Sequence, residues 1–137
     1  MAYASKTLRD WVVAALTASG TLPTPTEGAA RQLESMPAVG FTYGNEEVEA
    51  ADSHEDLERN LAVEIHCIAG DYDAVDALAL GVELAIDAAI ATYPGTAITL
   101  QSRTYSEEVE SDVRAVECIL EYGLLYYTTE SDPESLL

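Results

Sequence analysis

A strict alternation of apolar and polar residues between positions 57 and 68 is the clearest pattern in the chain. The apolar members stand at odd positions: Leu57, Leu61, Val63, Ile65 and Cys67. The polar members, Glu58, Asn60, Glu64 and His66, stand at even positions, and Arg59 is the one charged residue on the apolar side. Because side chains alternate between the two faces of a strand, this pattern predicts a half-buried strand.

A long helix is predicted directly after this strand. Asp71 or Asp73 can accept hydrogen bonds from the free N–H groups of its first turn. Apolar residues then recur every three or four positions: Val75, Leu78, Val82, Ile86, Ala89, Ile90 and Tyr93. That spacing forms one apolar stripe on a helix, so the helix must fold back over the sheet.

The remaining elements follow from the same two periodicities. Ser5 is expected to cap a first helix that Gly20 ends, and three further segments alternate as strands: residues 36–43, 97–105 and 116–127. The predicted fold class is therefore α+β, with a mixed or antiparallel sheet of four to five strands and two main helices packed on one face. We expect a single domain over residues 1–129 and an acidic, flexible tail over residues 130–137.

Two stretches between strands are densely acidic. Residues 45–58 hold seven carboxylates and no Lys or Arg, which predicts an exposed hairpin loop, and a second patch spans residues 107–112. These stretches and the neighbouring arginine supply the candidate site residues: Glu46, Glu47, Glu49, Asp52, Glu55, Asp56, Arg59, Glu107, Glu108 and Glu110.

The charge of the whole chain restricts its partners. With 25 acidic and 6 basic residues, the 137-residue chain has a net charge of -19. Such a surface repels nucleic acid and anionic lipid, so neither is an expected binding partner. Solubility and adaptation to a salty medium both explain this acidity. No apolar run is long enough to span a membrane and the N-terminus lacks signal-peptide features, so we expect a cytoplasmic setting without membrane attachment.

Side chains with catalytic potential are few. Cys67 and Cys118 lie in strand patterns and are expected to be buried free thiols. The residues show no zinc-site spacing, EF-hand loop, phosphate-binding glycine loop or nucleophile elbow, so no cofactor is predicted and the acidic stretches suit only weak, nonspecific divalent-cation binding. The protein is therefore not expected to be an enzyme. The alternative from that class is a small metal-dependent hydrolase using Asp71, Asp73 and His66.

The order of these pieces resembles the tail terminator proteins of long-tailed bacteriophages, the group of minor tail protein U. The resemblance covers nearly the whole chain and rests on these segments: Leu8-Arg9-Asp10 with residues 12–16, residues 36–41, the acidic loop, residues 56–66, Asp73 with Asp76-Ala77-Leu78, and residues 122–127. The chain departs from the family pattern in its acidity and in its Ala-rich second helix.

The resemblance implies a structural protein of the virion tail, assembled in the host cytoplasm. Such a protein forms a ring, typically a homohexamer, on the end of the tail tube, stops tube polymerisation and offers a head-tail joining surface to the head connector protein. DNA would pass through the ring without specific binding, past a lumen lined by the acidic stretches. Arg59 would pair with a carboxylate in its own subunit or, as we favour, across the ring interface. Another head-tail connector or tail-completion protein is the alternative within this class.

Overall fold

A computed structural model describes residues 4–27, 36–50, 56–110, 113–129 and 136. The elements in chain order are helix α1 (Ala4–Ala18), strands β1 (Thr26–Glu27), β2 (Ala38–Ala50) and β3 (Asp56–Ala69), helix α2 (Tyr72–Ala89), a 3-10 turn (Ile90–Thr92), and strands β4 (Ala97–Glu110) and β5 (Val113–Thr129). The strands form one sheet in the order β1-β2-β3-β5-β4. Only β1 is parallel to its neighbour. The predicted α+β fold, with a sheet of four to five strands, is confirmed.

The centre of the sheet is the antiparallel pair β3 and β5, whose register is unbroken from Asp56 opposite Thr129 to Ala69 opposite Val116. Val63 faces Tyr122 and is fully buried. The odd residues of β3 lie opposite the even residues of β5, and both sets are apolar except for Arg59 and Thr128, so one side of this pair carries the core. The face predicted for the central strand is therefore confirmed.

Both helices cover that face. Helix α1 buries Ala4, Leu8, Val12, Ala15 and Leu16. It already includes Ser5, so the prediction that Ser5 caps this helix is wrong. Gly20 follows the helix with a φ of 69°, a backbone conformation that glycine adopts at little cost, so its predicted role as the end of α1 is confirmed.

Helix α2 begins as the sequence predicts. The Asp71 carboxylate accepts a hydrogen bond of 2.7 Å from the Ala74 N–H, which satisfies one of the free donors of the first turn. At the other end, the Trp11 indole N–H of α1 donates to the Thr92 hydroxyl at 3.0 Å, and the Trp11 ring meets Tyr93 edge to face. The two helices are therefore tied together where α2 ends.

The predicted loop from Asn45 to Glu58 is wrong at both of its ends. Strand β2 continues to Ala50, and β3 begins at Asp56. Backbone pairing continues through the acidic residues, with Glu49 directly opposite Glu58. Repulsion between the carboxylates led us to predict a loop instead of strands. This repulsion is moderated because water and salt screen exposed side chains. The backbone hydrogen bonds between the two strands need no apolar residues. Residues 51–55 lie outside the described residues.

The second acidic patch needs the same correction. Strand β4 does not end near Tyr105 but reaches Glu110, which pairs with Val113 at the start of β5. This hairpin projects past the end of β3, since Ala69 is already opposite Val116. The acidic part of the β2–β3 hairpin lies at the other end of the sheet, beside Thr129. The two acidic stretches therefore lie at opposite ends of the molecule.

Each of the two outer long strands contains one irregularity. In β2 the register shifts between Tyr43 and Glu46, and in β4 it shifts between Leu100 and Ser102. Tyr43 pairs with Val63, Val63 with Tyr122, and Tyr122 with Leu100, so both bulges lie at the same height across the sheet.

The burial of Val63 generates a stability prediction. Val63→Asp places an unpaired carboxylate on the fully buried face. The cost is several kcal/mol, comparable with the roughly 5–15 kcal/mol that stabilises a small domain, so we expect loss of soluble folded protein. Val109, which is 64% exposed, provides the matched control, and Val109→Asp should stay folded. Circular dichroism and thermal melting measure both, and an unchanged melting temperature for Val63→Asp would contradict the assigned face.

Candidate functional site

The structure distributes the predicted site residues over both hairpins. Glu46, Glu47 and Glu49 lie exposed on β2, and Glu107 and Glu108 lie exposed on β4. Asp56 opens β3 and Glu110 closes β4, while Asp52 and Glu55 lie outside the described residues. Because the two hairpins lie at opposite ends of the sheet, the described carboxylates of β2 and β4 do not form one patch within a subunit.

Arg59 is held in a polar cluster within its own chain. Its Nε donates a hydrogen bond of 2.8 Å to the Thr128 hydroxyl, and its Nη1 lies 3.9 Å from a Glu46 carboxylate oxygen. The Tyr126 hydroxyl donates to the same carboxylate. The sequence left two kinds of carboxylate partner open for Arg59, one in its own subunit and one across a ring interface. The structure contains a partner of the first kind, Glu46, and pairing across an interface stays a prediction.

A second polar cluster joins the middle of β4 to α2. The Tyr105 hydroxyl donates to the Asp76 carboxylate at 2.6 Å and accepts from Arg103 Nη2 at 2.8 Å. The hydrogen bond to Asp76 is the largest cause that raises the pKa of Tyr105, to about 12. Further out, Arg114 Nε donates to Glu107 at 2.6 Å. Sequence reasoning missed this cluster, because its members come from separate elements with no shared motif.

Contacts within the subunit engage five of the six basic side chains of the protein. Lys6 pairs with Asp10 at 2.6 Å, and the Arg9 guanidinium lies 5.3 Å from the centre of the Tyr43 ring. Arg31 lies outside the described residues. Every basic side chain in the described part of the chain therefore has a partner in its own subunit.

Of the residues in the hydrolase alternative, His66 and Asp71 have separate partners, and Asp73 lies exposed in the first turn of α2. His66, 5% exposed, lies on the face of the sheet without helices, with Nε2 3.0 Å from the Thr42 hydroxyl and Nδ1 3.3 Å from Glu117. Asp71 caps α2. Within the described ranges, no group of three or more His, Cys, Asp or Glu side chains is arranged to hold a metal ion.

Cys67 and Cys118 face one another across β3 and β5 on the core side of the sheet. Both are buried free thiols, as the sequence predicts. Burial is the largest cause that raises the pKa of the Cys67 thiol, to about 12. The neutral thiol is therefore the form that the folded protein favours.

A polar pocket of about 420 Å³ lies on the helix-free face at the height of the two bulges. Glutamates and carboxamides from four strands line it, namely Asn45, Glu47, Asn60, Glu64, Gln101 and Glu121. Sequence reasoning missed this polar pocket, since Asn45 and Gln101 stand in the bulges and no periodic pattern aligns them. The one signal in the sequence is the scarcity of Asn and Gln elsewhere.

Comparisons with known proteins leave the function to be inferred from this geometry. No protein-family model matches the chain, and a comparison with curated proteins finds no significant match. Among the described residues, neither helix combines the length and the apolar character that crossing a membrane requires.

The buried hydroxyl beside Arg59 leads to a second stability prediction. Thr128 is fully buried, so Arg59→Ala leaves its hydroxyl without this donor and should lower the free energy of unfolding by about 1–3 kcal/mol. Arg59→Ala combined with Thr128→Val removes both partners, and we expect it to recover part of that loss. Urea unfolding measures the difference. Equal stability of the wild type and Arg59→Ala would show that the cluster contributes nothing.

The Cys67 thiol gives the third prediction, on pH. Its folded-state pKa of about 12 lies above the ordinary 9.0, so its contribution to stability is fully present below pH 9 and is lost as the pH rises towards 12. We expect the melting temperature of the wild type to fall more steeply above pH 9 than that of Cys67→Val. Parallel melting curves for the two proteins across this range would contradict the assignment.

Proposed function

We propose that the protein is a tail terminator of a phage or phage-like particle, a structural subunit that assembles as a ring on the end of the tail tube, stops tube polymerisation and presents a joining surface to the head connector. The resemblance in the order of elements supports this proposal. So does a property of the sheet that suits ring assembly, namely an open edge on each side.

The two edges carry the proposal. In β4, every residue from Gln101 to Val109 is exposed. On the other side, β1 pairs with β2 only at Gly40 and Phe41, so among the described residues the rest of β2 has no outer neighbour. Unpaired N–H and C=O groups along such edges are templates for another strand. When β4 of one copy joins β2 of the next, the contact is head-to-tail, and repeated contacts of that kind close into a ring when the rotations between successive copies add up to a full turn.

The distribution of charge suits this arrangement. Strands β2 and β4 run in opposite directions within the sheet, so copies placed side by side pair them antiparallel. Glu46 pairs with Leu61, Leu61 with Leu124, and Leu124 with Ile98, so Ile98 on β4 lies at the same height of the sheet as Glu46 on β2. The acidic end of β2 then meets the start of β4, residues 97–100, which contains no carboxylate. The carboxylates of the two edges are thereby kept apart.

The same arrangement assigns a role to the negative charge of the helix-free face. Glutamates mark the helix-free face at Glu58, Glu64, Glu117 and Glu121, and a ring that turns this face inward has a lumen that repels phosphate and lets DNA slide. The two hairpins then surround the two openings of the channel. This revises the prediction that the acidic stretches themselves line the whole lumen.

Tube assembly tests the function. The purified protein, added to growing tubes of the particle's own tube protein, should cap them and give short tubes of uniform length in electron micrographs. Native mass spectrometry in moderate salt should show a closed ring, which we expect to be a hexamer. A head-tail connector that does not contact the tube would leave tube length unchanged, and that result would overturn the proposal.

A matched pair of variants tests the edge contact in the same assay. Thr99 is exposed on β4, one residue from the row that holds Glu46. Thr99→Glu brings a further carboxylate to the acidic end of the neighbouring β2 and should weaken the ring, whereas Thr99→Lys should strengthen it. The difference should shrink as salt is raised, because exposed charges are screened. Rings of equal stability in both variants would rule out this edge contact.

A further inference from the structure

The polar pocket on the helix-free face is built by two bulges on opposite sides of the sheet. Asn45 lies within the register shift of β2, and Gln101 lies within that of β4. Bulges turn individual side chains away from their regular direction and occur often beside binding sites. Here both bring a carboxamide to the same pocket, where Asn60 of β3 supplies a third.

This concentration of carboxamides is unusual for the chain. The sequence contains only four Asn and Gln residues, Gln32, Asn45, Asn60 and Gln101, and three of them line this one pocket. Carboxamides combine donors and acceptors in a fixed plane and orient a ligand by hydrogen bonds. A general need for polar surface does not explain their position, because the rest of the described surface is served by carboxylates, hydroxyls and a few cations.

The floor of the pocket has an unused acceptor. Asn60 Oδ1 is buried and accepts no hydrogen bond from the described residues. Gly123 lies beneath it, where an added Cβ would stand 3.0 Å from this oxygen and would overlap Gln101 Nε2. A buried acceptor without a donor is costly, so such an atom indicates a ligand that donates.

The charge of the pocket defines the donor. Its lining includes Glu47, Glu64 and Glu121 and contains no basic side chain. No group of three or more His, Cys, Asp or Glu side chains in the described structure is arranged to hold a metal ion, so these carboxylates do not form a metal site. A guanidinium group is planar, positively charged and has five N–H donors, which suits separated carboxylates and a carboxamide acceptor.

We propose that this pocket binds the guanidinium group of an arginine side chain presented by a partner protein. The volume of about 420 Å³ falls within the usual range of roughly 300–1,000 Å³ for small-ligand sites and accommodates the side chain. Each basic side chain among the described residues already has a partner, so none of them is free to fill the pocket, and the proposal commits to an arginine supplied by a partner protein. This inference goes beyond the proposed function and does not depend on ring assembly.

Nuclear magnetic resonance of the full-length, ¹⁵N-labelled protein tests the site directly, because the side-chain NH₂ groups of Asn45, Asn60 and Gln101 report from within the pocket. Titration with N-acetyl-arginine amide should shift these signals in a saturable manner while the signal of the Trp11 indole N–H, on the helix side of the sheet, stays in place. N-acetyl-citrulline amide has nearly the same shape without the charge, and it should cause no saturable shift. Equal responses to the two compounds, or shifts spread evenly over the acidic surface, would overturn the proposal.

Variants distinguish the pocket from general charge attraction. Glu121→Gln removes one lining carboxylate and should weaken binding about tenfold, the usual effect of losing a charge-assisted hydrogen bond. Glu108→Gln, on the same face but outside the lining, should leave the affinity within about twofold, because exposed charges at a distance are screened. Gly123→Ala should also abolish the saturable shifts, provided that its backbone spectrum shows an intact fold. If Glu121→Gln and Glu108→Gln reduce binding equally, arginine is attracted by net charge alone and the proposed site does not exist.

Discussion

The unbroken ladder between β3 and β5 is the constraint on which the rest of the structure depends. One side of it is a continuous apolar row that includes Val63, Ile65, Leu120 and Leu124, all fully buried. A slip of one residue would turn that row towards water, so burial fixes the register as firmly as the backbone hydrogen bonds do. Both helices must cover this side, which leaves the other face of the sheet free for polar groups. Among the long strands, only the outer two, β2 and β4, interrupt the regular pairing.

The period-two pattern predicted strand β3 and its two faces because one face is buried in the core and the other carries polar residues. Where neither face is buried, that contrast disappears. The extension of β2 through Glu46 and Glu49 is held by backbone pairing with β3, and backbone groups leave no trace in the sequence. Local reasoning from charge and missing apolar residues therefore favoured a loop. The cap of α2 at Asp71 and the end of α1 at Gly20 were predictable because they depend on nearby residues, whereas α1 includes Ser5, the residue predicted to cap it.

The polar clusters were beyond sequence reasoning for a different reason. A bulge changes which face the following residues occupy, so the position of Asn45 or Gln101 cannot be counted from the strand pattern. The pairing of Asp76 with Tyr105 depends on how α2 crosses the sheet, which no local periodicity specifies. Arg59 was recognisable as an exception within an apolar row, but its contact with Thr128 required the register of β5. Residue rarity, as with the carboxamides, was the only sequence signal that pointed to the pocket.

The directly opposed pair Glu49 and Glu58 makes the length of the sheet depend on its medium. Like charges facing each other across two strands oppose pairing, and this repulsion reaches about 10 Å at 0.1 M salt but only about 3 Å at 1 M. The apolar centre has no such charges to screen. We therefore expect the outermost residue pairs of the β2–β3 hairpin to separate at low salt and to pair at high salt. Ionic strength then sets the length of strand edge that each molecule offers to a neighbour.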